Sequence, residues 1–242
     1  MTSLHAEAAS TKPASARLAA ARPAAPGSAG PGLGAGALGL RRFTGPRPEQ
    51  PERCELCAAT LPPGGHRHLV DPEKRALSCA CTPCAMLFEQ SGVAGGRLRT
   101  VPDRYLADPG HSLDDGAWDL LQIPVSVAFF FRNAALDRLV ALYPSPAGAT
   151  ESELDSTAWQ AVLGRTRLAG VLEPDVEALL MRRHEGRYEC YLVPVDICYE
   201  LVGRMRLHWQ GFDGGAKART ELEEFFTHVA GRAKPVREVR RP

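Results

Sequence analysis

Five of the seven cysteines in this 242-residue chain lie between residues 54 and 84, and four of them form two pairs. Cys54 and Cys57 are separated by two residues, and so are Cys81 and Cys84. A two-residue gap lets the chain turn so that both thiolates face one ion, and two such turns supply four sulfurs at about 2.3 Å in a tetrahedron. We therefore predict one closed metal site held by these four cysteines.

The expected ion is Zn²⁺, and iron in a rubredoxin-like site is the alternative. Rubredoxin-like turns carry glycine after the second cysteine, whereas Ala58 and Ala85 follow here. Pro83 also removes an amide that would otherwise donate to Cys81, and hydrogen bonds to sulfur adjust the redox potential. An iron–sulfur cluster that includes Cys79, and simple burial of the thiols, are the remaining alternatives.

The segments around the cysteines predict a small folded module. His66–Val70 and Ala76–Ala80 alternate like the strands of a hairpin. Thr82 is the expected N-cap of a helix that begins at Pro83 and runs to Gly92, and the helix dipole would favour the thiolate charge. This order of cysteine turn, hairpin and helix resembles treble-clef and zinc-ribbon fingers over about forty residues.

Other residues with ligand chemistry have a simpler interpretation. Cys79 is either an alternative ligand of the metal site or a partly buried thiol. His66 and His68 are spare ligand candidates, although exposed positions on the hairpin are expected for them. Cys190 and Cys198 have apolar neighbours and are expected in the core.

Composition divides the chain into five segments. Residues 1–50 are rich in Ala, Pro and Gly and have few large apolar residues, which predicts disorder. The expected order is this tail (1–50), the metal module (51–92), a connector (93–116), an α+β domain (117–232) and a basic tail (233–242).

The predicted α+β domain consists of two hairpins and three helices. An antiparallel sheet with helices packed on one face accounts for this order of elements. The expected strands are Ile123–Phe131, Leu136–Tyr143, Val176–Arg182 and Tyr188–Val193, and the expected helices are Ser156–Leu168, Ile197–Trp209 and Ala216–Val229.

Charge and hydropathy disfavour two classes of partner. The net charge is +1 and the first fifty residues are basic, so the rest of the chain is slightly acidic and lacks the charge expected for nucleic-acid binding. No apolar run approaches the roughly 20 residues that a membrane helix needs. Arg41 and Arg42 are not followed by the apolar region of an export signal. Cysteines with metal-type spacing favour the cytoplasm.

No catalytic triad or carboxylate pair is evident, so an enzyme is not the favoured class. The glycine-rich residues 211–215, before a helix with Lys217 and Arg219, are a weak candidate for anion binding. Residues 143–152 are small and polar and are expected to form a loop, with partner binding as the alternative. Asp196 is expected to cap the helix that follows it.

Several segments together resemble an uncharacterised bacterial family, a domain of unknown function common in actinobacteria. They are Cys54–Cys84, LYPSPAGATES (142–152), PDVEALL (174–180), VPVDICYELVGRMR (193–206), Trp209–Gly215 and Phe225–Phe226. Members occur in gene neighbourhoods with nickel–iron hydrogenase subunits and maturation factors. The resemblance implies an accessory role with such a protein as partner, and it supplies no catalytic residues.

The leading hypothesis is therefore a zinc-stabilised adaptor in the assembly or maturation of a nickel–iron hydrogenase. A rubredoxin-like electron carrier and a small-molecule or anion-binding enzyme are the alternatives.

Overall fold

The computed structural model describes residues 51–89, 93–110, 113–152, 166–211 and 214–236. Three predictions fall wholly or largely outside these ranges: the tail over 1–50, the helix over Ser156–Leu168, of which only 166–168 are described, and residues 237–242 of the basic tail. Among the described residues, no helix has both the length and the apolar character that crossing a membrane requires.

The described chain forms two sheets and four α-helices. The strands are β1 (Arg67–Asp71), β2 (Ala76–Ala80), β3 (Arg99–Thr100), β4 (Leu106–Ala107), β5 (Val127–Asn133), β6 (Arg138–Ser145), β7 (Gly148–Ser152), β8 (Glu177–His184), β9 (Arg187–Pro194) and β10 (Lys234–Pro235). The helices are α1 (Thr82–Met86), α2 (Asp115–Leu120), α3 (Val195–His208) and α4 (Gly215–Arg232). Single 3₁₀ turns lie at Val93–Gly96 and Arg167–Gly170.

The larger sheet has seven strands in the order β10-β4-β9-β8-β5-β6-β7. Its neighbouring strands are antiparallel except for the parallel pair of β10 and β4. Both hairpins predicted in this part of the chain are present, as β5–β6 and β8–β9. The α+β class and the antiparallel character of the sheet are therefore confirmed.

Side chains of β5 alternate between two apolar cores, one on each face of the large sheet. Phe129 and Phe131 join the core beneath the long helices α3 and α4. Phe130 points to the opposite face and packs in the core that contains Trp118 of α2. Helices were expected on one face only. The long helices α3 and α4 do share one face, but the short α2 covers the other. Both faces need cover because the buried residues of β5 alternate between two apolar surfaces.

Several short or polar strands were not foreseen. Residues 93–116, expected as a connector, supply β3 to the small sheet and β4 to the large sheet. The loop expected over residues 143–152 is wrong, since most of this segment is strand in β6 and β7. Lys234–Pro235, in the expected basic tail, pairs with β4.

The smaller sheet has the order β2-β1-β3 and belongs to the cysteine-rich part of the chain. Its hairpin pairs Arg67 with Ala80 and agrees with the prediction to within one residue. The predicted helix is shorter than expected. The α1 helix spans five residues, and Cys81 rather than Thr82 stands at its N-cap.

Candidate metal centre

The structure brings the four predicted ligands together. The sulfur atoms of Cys54, Cys57, Cys81 and Cys84 all lie within 4.8 Å of one another. Cys57 Sγ is 3.7 Å from Cys81 Sγ. A tetrahedral ion with bonds of about 2.3 Å to sulfur would place its ligands roughly 3.8 Å apart. None of the four cysteines forms a disulfide, so all four sulfurs can bind, and the donor set fits a single tetrahedral ion.

The first pair of cysteines is positioned by a tight turn. Ala58 N donates to Cys54 O at 2.8 Å, and Cys54 N donates to Ala59 O at 2.8 Å. Ala58 has φ +58°, in the left-handed region that glycine usually occupies. Cys54 is buried under the turn, whereas Cys57 is exposed.

The second pair is positioned by the end of the hairpin and the start of α1. Cys81 directly follows β2, and Ala85 N donates to Cys81 O at 3.0 Å. Thr100 of β3 holds the short helix from the other side, because its Oγ1 donates to Ala85 O at 2.7 Å. The small sheet thus supports the turn that carries Cys84. With only five residues, α1 has too few aligned peptides for its dipole to matter much to the thiolates.

Electrostatics within the cluster favours a bound cation. Burial of Cys54 opposes ionisation, but N–H groups of Cys81, Cys57 and Leu56 outweigh it and lower the pKa of Cys54 to about 6. At Cys84, interaction with the sulfurs of Cys81 and Cys57 raises the pKa to about 12. Four thiolates this close repel one another, and a divalent cation offsets that repulsion.

The backbone bears on the choice between zinc and iron. The absence of glycine after Cys57 argued against an iron site, yet Ala58 adopts the left-handed conformation itself. Neighbouring backbone N–H groups also lower the pKa of Cys54. The argument from Ala58 therefore has no force at the first turn, whereas Ala85 lies in a helix, so no equivalent conformation occurs at the second.

Cys79 lies outside the four-cysteine cluster and belongs to a second group of candidate ligands. Its sulfur and one ring nitrogen each of His66 and His68 lie within 4.8 Å of one another. The expectation that the two histidines are exposed is wrong, since both are only partly exposed. The hairpin packs close to the start of α3, where His68 Nδ1 lies 2.7 Å from Asp196 Oδ2.

Asp196 does not cap α3 as expected. Pro194 occupies the N-cap position and makes no side-chain cap hydrogen bond. Asp196 lies in the first turn, where one carboxylate oxygen is paired with His68 and the other accepts from Ile197 N at 2.8 Å. The spacing to a helix start cannot reveal such a long-range partner.

The two remaining cysteines are buried in the α+β cores, as predicted. Cys198, on α3, packs into the core beneath the long helices, and Cys190 lies on the opposite face of the sheet. Burial raises the pKa of Cys190 to about 12 and raises that of Cys198 as well. Neither thiol is therefore prepared for metal binding or redox chemistry.

A pocket of about 250 Å³ lies between the β1–β2 hairpin and the large sheet. Its lining includes Val70, Leu77, Phe131, Val195 and Tyr199, with Arg75 at a polar edge. Of the segments singled out for ligand binding, 143–152 and the described part of 211–219 contribute no residue to the lining. In the latter segment, Gly211 O accepts a hydrogen bond from Trp209 Nε1 at 3.0 Å, and the residues from Gly215 onward belong to α4.

An antiparallel α+β protein with a four-cysteine turn-and-hairpin module is the class that this fold and site define. Residues 53–233 match the model of a family of unknown function, DUF5947, so the chain belongs to that family. No curated protein and no solved structure matches the chain.

Proposed function

We propose that this protein is a zinc-stabilised adaptor that docks onto a nickel–iron hydrogenase subunit or maturation factor. The observation that carries the proposal is the convergence of four cysteine sulfurs within 4.8 Å. With all four positions supplied by protein, such a site has no opening for a substrate and serves to hold structure.

The cysteine module has only a small apolar core of its own. Its core consists of five buried residues: Cys54, Leu61, Leu69, Ala80 and Ala85. So small a core contributes too little apolar burial to fold alone. Zinc binding contributes on the order of 10 kcal/mol in small cysteine-rich modules, and that free energy becomes folding free energy.

Metal analysis of the purified full chain tests the zinc site. Elemental analysis is expected to find zinc, and Cys84→Ser is expected to remove the equivalent that the four cysteines hold. Cys190→Ala is the matched control, since its buried sulfur lies in the core beneath α2 and its loss should leave the metal content unchanged. A Cys84→Ser protein with the full metal content would refute the proposal.

Exposed apolar side chains around the cysteine turns support a docking role. Leu56, Met86 and Leu87 are 45%, 60% and 63% exposed. Leu56 lies between Cys54 and Cys57. Met86 and Leu87 lie two and three residues after Cys84. Exposed apolar residues of this kind mark contact sites for partner proteins, and bound zinc would fix the turns that present them.

The choice of a hydrogenase partner comes from the sequence resemblance, and co-purification from the native host tests it. The wild type is expected to retain a hydrogenase subunit or maturation factor identified by mass spectrometry. Leu56→Ser and Leu87→Ser are expected to lose that protein while keeping zinc. Leu207→Ser, which changes a leucine that is 81% exposed on α3, is expected to keep both. Recovery of unrelated proteins alone would contradict the choice of partner.

A rubredoxin-like iron carrier is the second candidate, favoured by the backbone around Cys54. Ala58 adopts the left-handed conformation itself, and neighbouring backbone N–H groups lower the pKa of Cys54 to about 6. Backbone N–H groups that stabilise a thiolate also adjust an iron–thiolate potential. Protein purified from an iron-rich culture would then be red and bleach on reduction. Colourless protein with stoichiometric zinc would exclude this candidate.

A further inference from the structure

A second group of metal-binding side chains lies on the β1–β2 hairpin, separate from the four cysteines. His66 and His68 are two residues apart, a spacing that places side chains on one face of an extended chain. Cys79 of β2 is the direct cross-strand partner of His68. Two imidazoles and one thiol therefore converge, and their ligand atoms lie within 4.8 Å of one another.

We propose that His66, His68 and Cys79 form a second site for a divalent transition-metal ion of the Zn²⁺ or Co²⁺ type. The inference goes beyond the proposed function, since that function requires only the four-cysteine ion. Ligands on one tetrahedral ion of this kind lie roughly 3.3 to 3.6 Å apart. Small movements of the three side chains within the 4.8 Å cluster reach that spacing.

His68 has a carboxylate partner of the kind that metal-binding histidines use. Its Nδ1 lies 2.7 Å from Asp196 Oδ2 at the start of α3. With an Nδ1–H donated to the carboxylate, Nε2 carries the lone pair that binds a cation. Metal-binding histidines commonly have such a carboxylate partner, which fixes the tautomer and increases ligand basicity. Asp196 is thus a positioning residue.

His66 has an unsatisfied polar atom that an ion would satisfy. Its Nδ1 is buried and has no hydrogen-bond partner among the described residues. Glu52 Oε2, at 3.8 Å, is too distant to accept a hydrogen bond from it. Both atoms can nevertheless bind one ion, which makes the carboxylate of Glu52 the candidate for a fourth ligand.

The charges around the site also favour a cation. Glu55 Oε1 accepts a hydrogen bond from Cys79 N at 2.7 Å, Glu52 Oε2 lies 3.8 Å from His66 Nδ1, and Asp196 is hydrogen-bonded to His68. Imidazole nitrogen and thiolate sulfur are donors that zinc and cobalt prefer, whereas calcium and magnesium require oxygen. His66, His68 and Cys79 supply three ligands of a tetrahedral ion. The fourth coordination position can be filled by Glu52 or by an exchangeable ligand.

Metal stoichiometry of the full chain tests the proposal. Protein loaded with Zn²⁺ and freed of excess ion is expected to hold two equivalents. His66→Gln and Cys79→Ser are each expected to hold one. His184→Gln is the matched control, because this histidine lies at the exposed β8–β9 turn, and it should keep both equivalents. One equivalent in the wild type, unchanged by His66→Gln, would overturn the proposal.

Two further measurements separate the possible failures. His66 precedes β1 and makes none of its strand pairs, so the far-UV circular dichroism spectrum of His66→Gln at 25 °C should match that of the wild type. A matching spectrum establishes that the fold is intact and that the ion is lost because a ligand is lost. Asp196→Asn is expected to weaken the affinity for the second ion by about 10- to 100-fold without abolishing its binding. An unchanged affinity would contradict the positioning role of Asp196. The proposed function fails on a different result, a Cys84→Ser protein that retains all the metal of the wild type.

Discussion

At the scale of single residues, buried carboxylates hold the segments between strands in place. Glu177 is fully buried and accepts hydrogen bonds from Arg104 Nε at 2.7 Å and from Glu173 N at 2.9 Å. Asp108 is also buried, and it accepts from Arg167 N at 2.8 Å and from the Arg167 guanidinium at 2.6 Å. These contacts tie residues near β4 to the 3₁₀ turn at Arg167–Gly170 and to the start of β8, so their loss should loosen that part of the large sheet.

Replacing Asp108 with Asn tests this contact through its pH dependence. Burial opposes ionisation of Asp108, but Arg167 outweighs it and keeps the pKa below its ordinary 3.8. A carboxyl whose pKa is lower in the folded state stabilises the protein above the unfolded pKa, and this stabilisation is lost as the pH falls through the folded value. We expect Asp108→Asn to be less stable by about 2 kcal/mol at neutral pH, and the deficit to shrink below pH 3.8.

Urea unfolding across the acid range measures this difference. Asp137→Asn is the control, because that carboxylate is paired with Arg132 but 81% exposed. Exposed ion pairs contribute about 0 to 1 kcal/mol, so the control should differ little from the wild type at any pH. A deficit of Asp108→Asn that stays constant down to strong acid would contradict the ionic role of Asp108.

At the scale of elements, sequence predicted what depends on local pattern and missed what depends on pairing. The hairpin from Arg67 to Ala80 was recognisable because its apolar residues alternate. The β7 strand was not, because Gly148–Ser152 is a short edge strand of small and polar residues that resembles a loop. Likewise, cysteine spacing alone predicted the four-sulfur cluster, whereas the cluster at Cys79 depends on its register with His68.

Removal of the metal tests whether the ion holds the small sheet together. A chelator, or Cys84→Ser, is expected to raise amide hydrogen exchange in β1 and β2 by an order of magnitude or more, since the module has only a small core of its own. Amides of β5 and β8, flanked by apolar cores on both faces, serve as the internal control and should keep their protection. Full protection of β1 in metal-free protein would show that the sheet does not depend on the ion.

At the scale of the whole molecule, segments distant in sequence join the two sheets. Arg99 of β3 donates to Pro174 O at 2.6 Å and also pairs with Asp175, just before β8. Arg75 at the turn of the small hairpin pairs with Glu151 of β7 at 3.1 Å. The metal module is therefore attached to the large sheet at several points. Composition could not predict this, since each partner lies more than 70 residues away.

The described C-terminal residues complete the opposite edge of the large sheet. Lys234 N donates to Tyr105 O at 3.0 Å, and Val236 N donates to Ala107 O at 2.8 Å. Val236 is also buried in the core beneath α2. Ending the chain after Arg232 removes these hydrogen bonds and one buried valine, so we expect a loss of about 2 to 3 kcal/mol in the free energy of unfolding.

A chain that ends after Val236 is the matched control for this truncation. It keeps both backbone hydrogen bonds and the buried valine, and it still removes Arg237, Arg240 and Arg241 of the basic segment. Unfolding in urea should therefore give nearly wild-type stability for this chain. If both truncations are equally destabilised, the residues after Val236 contribute the stability instead. If neither is destabilised, the pairing of β10 with β4 contributes nothing measurable to the fold.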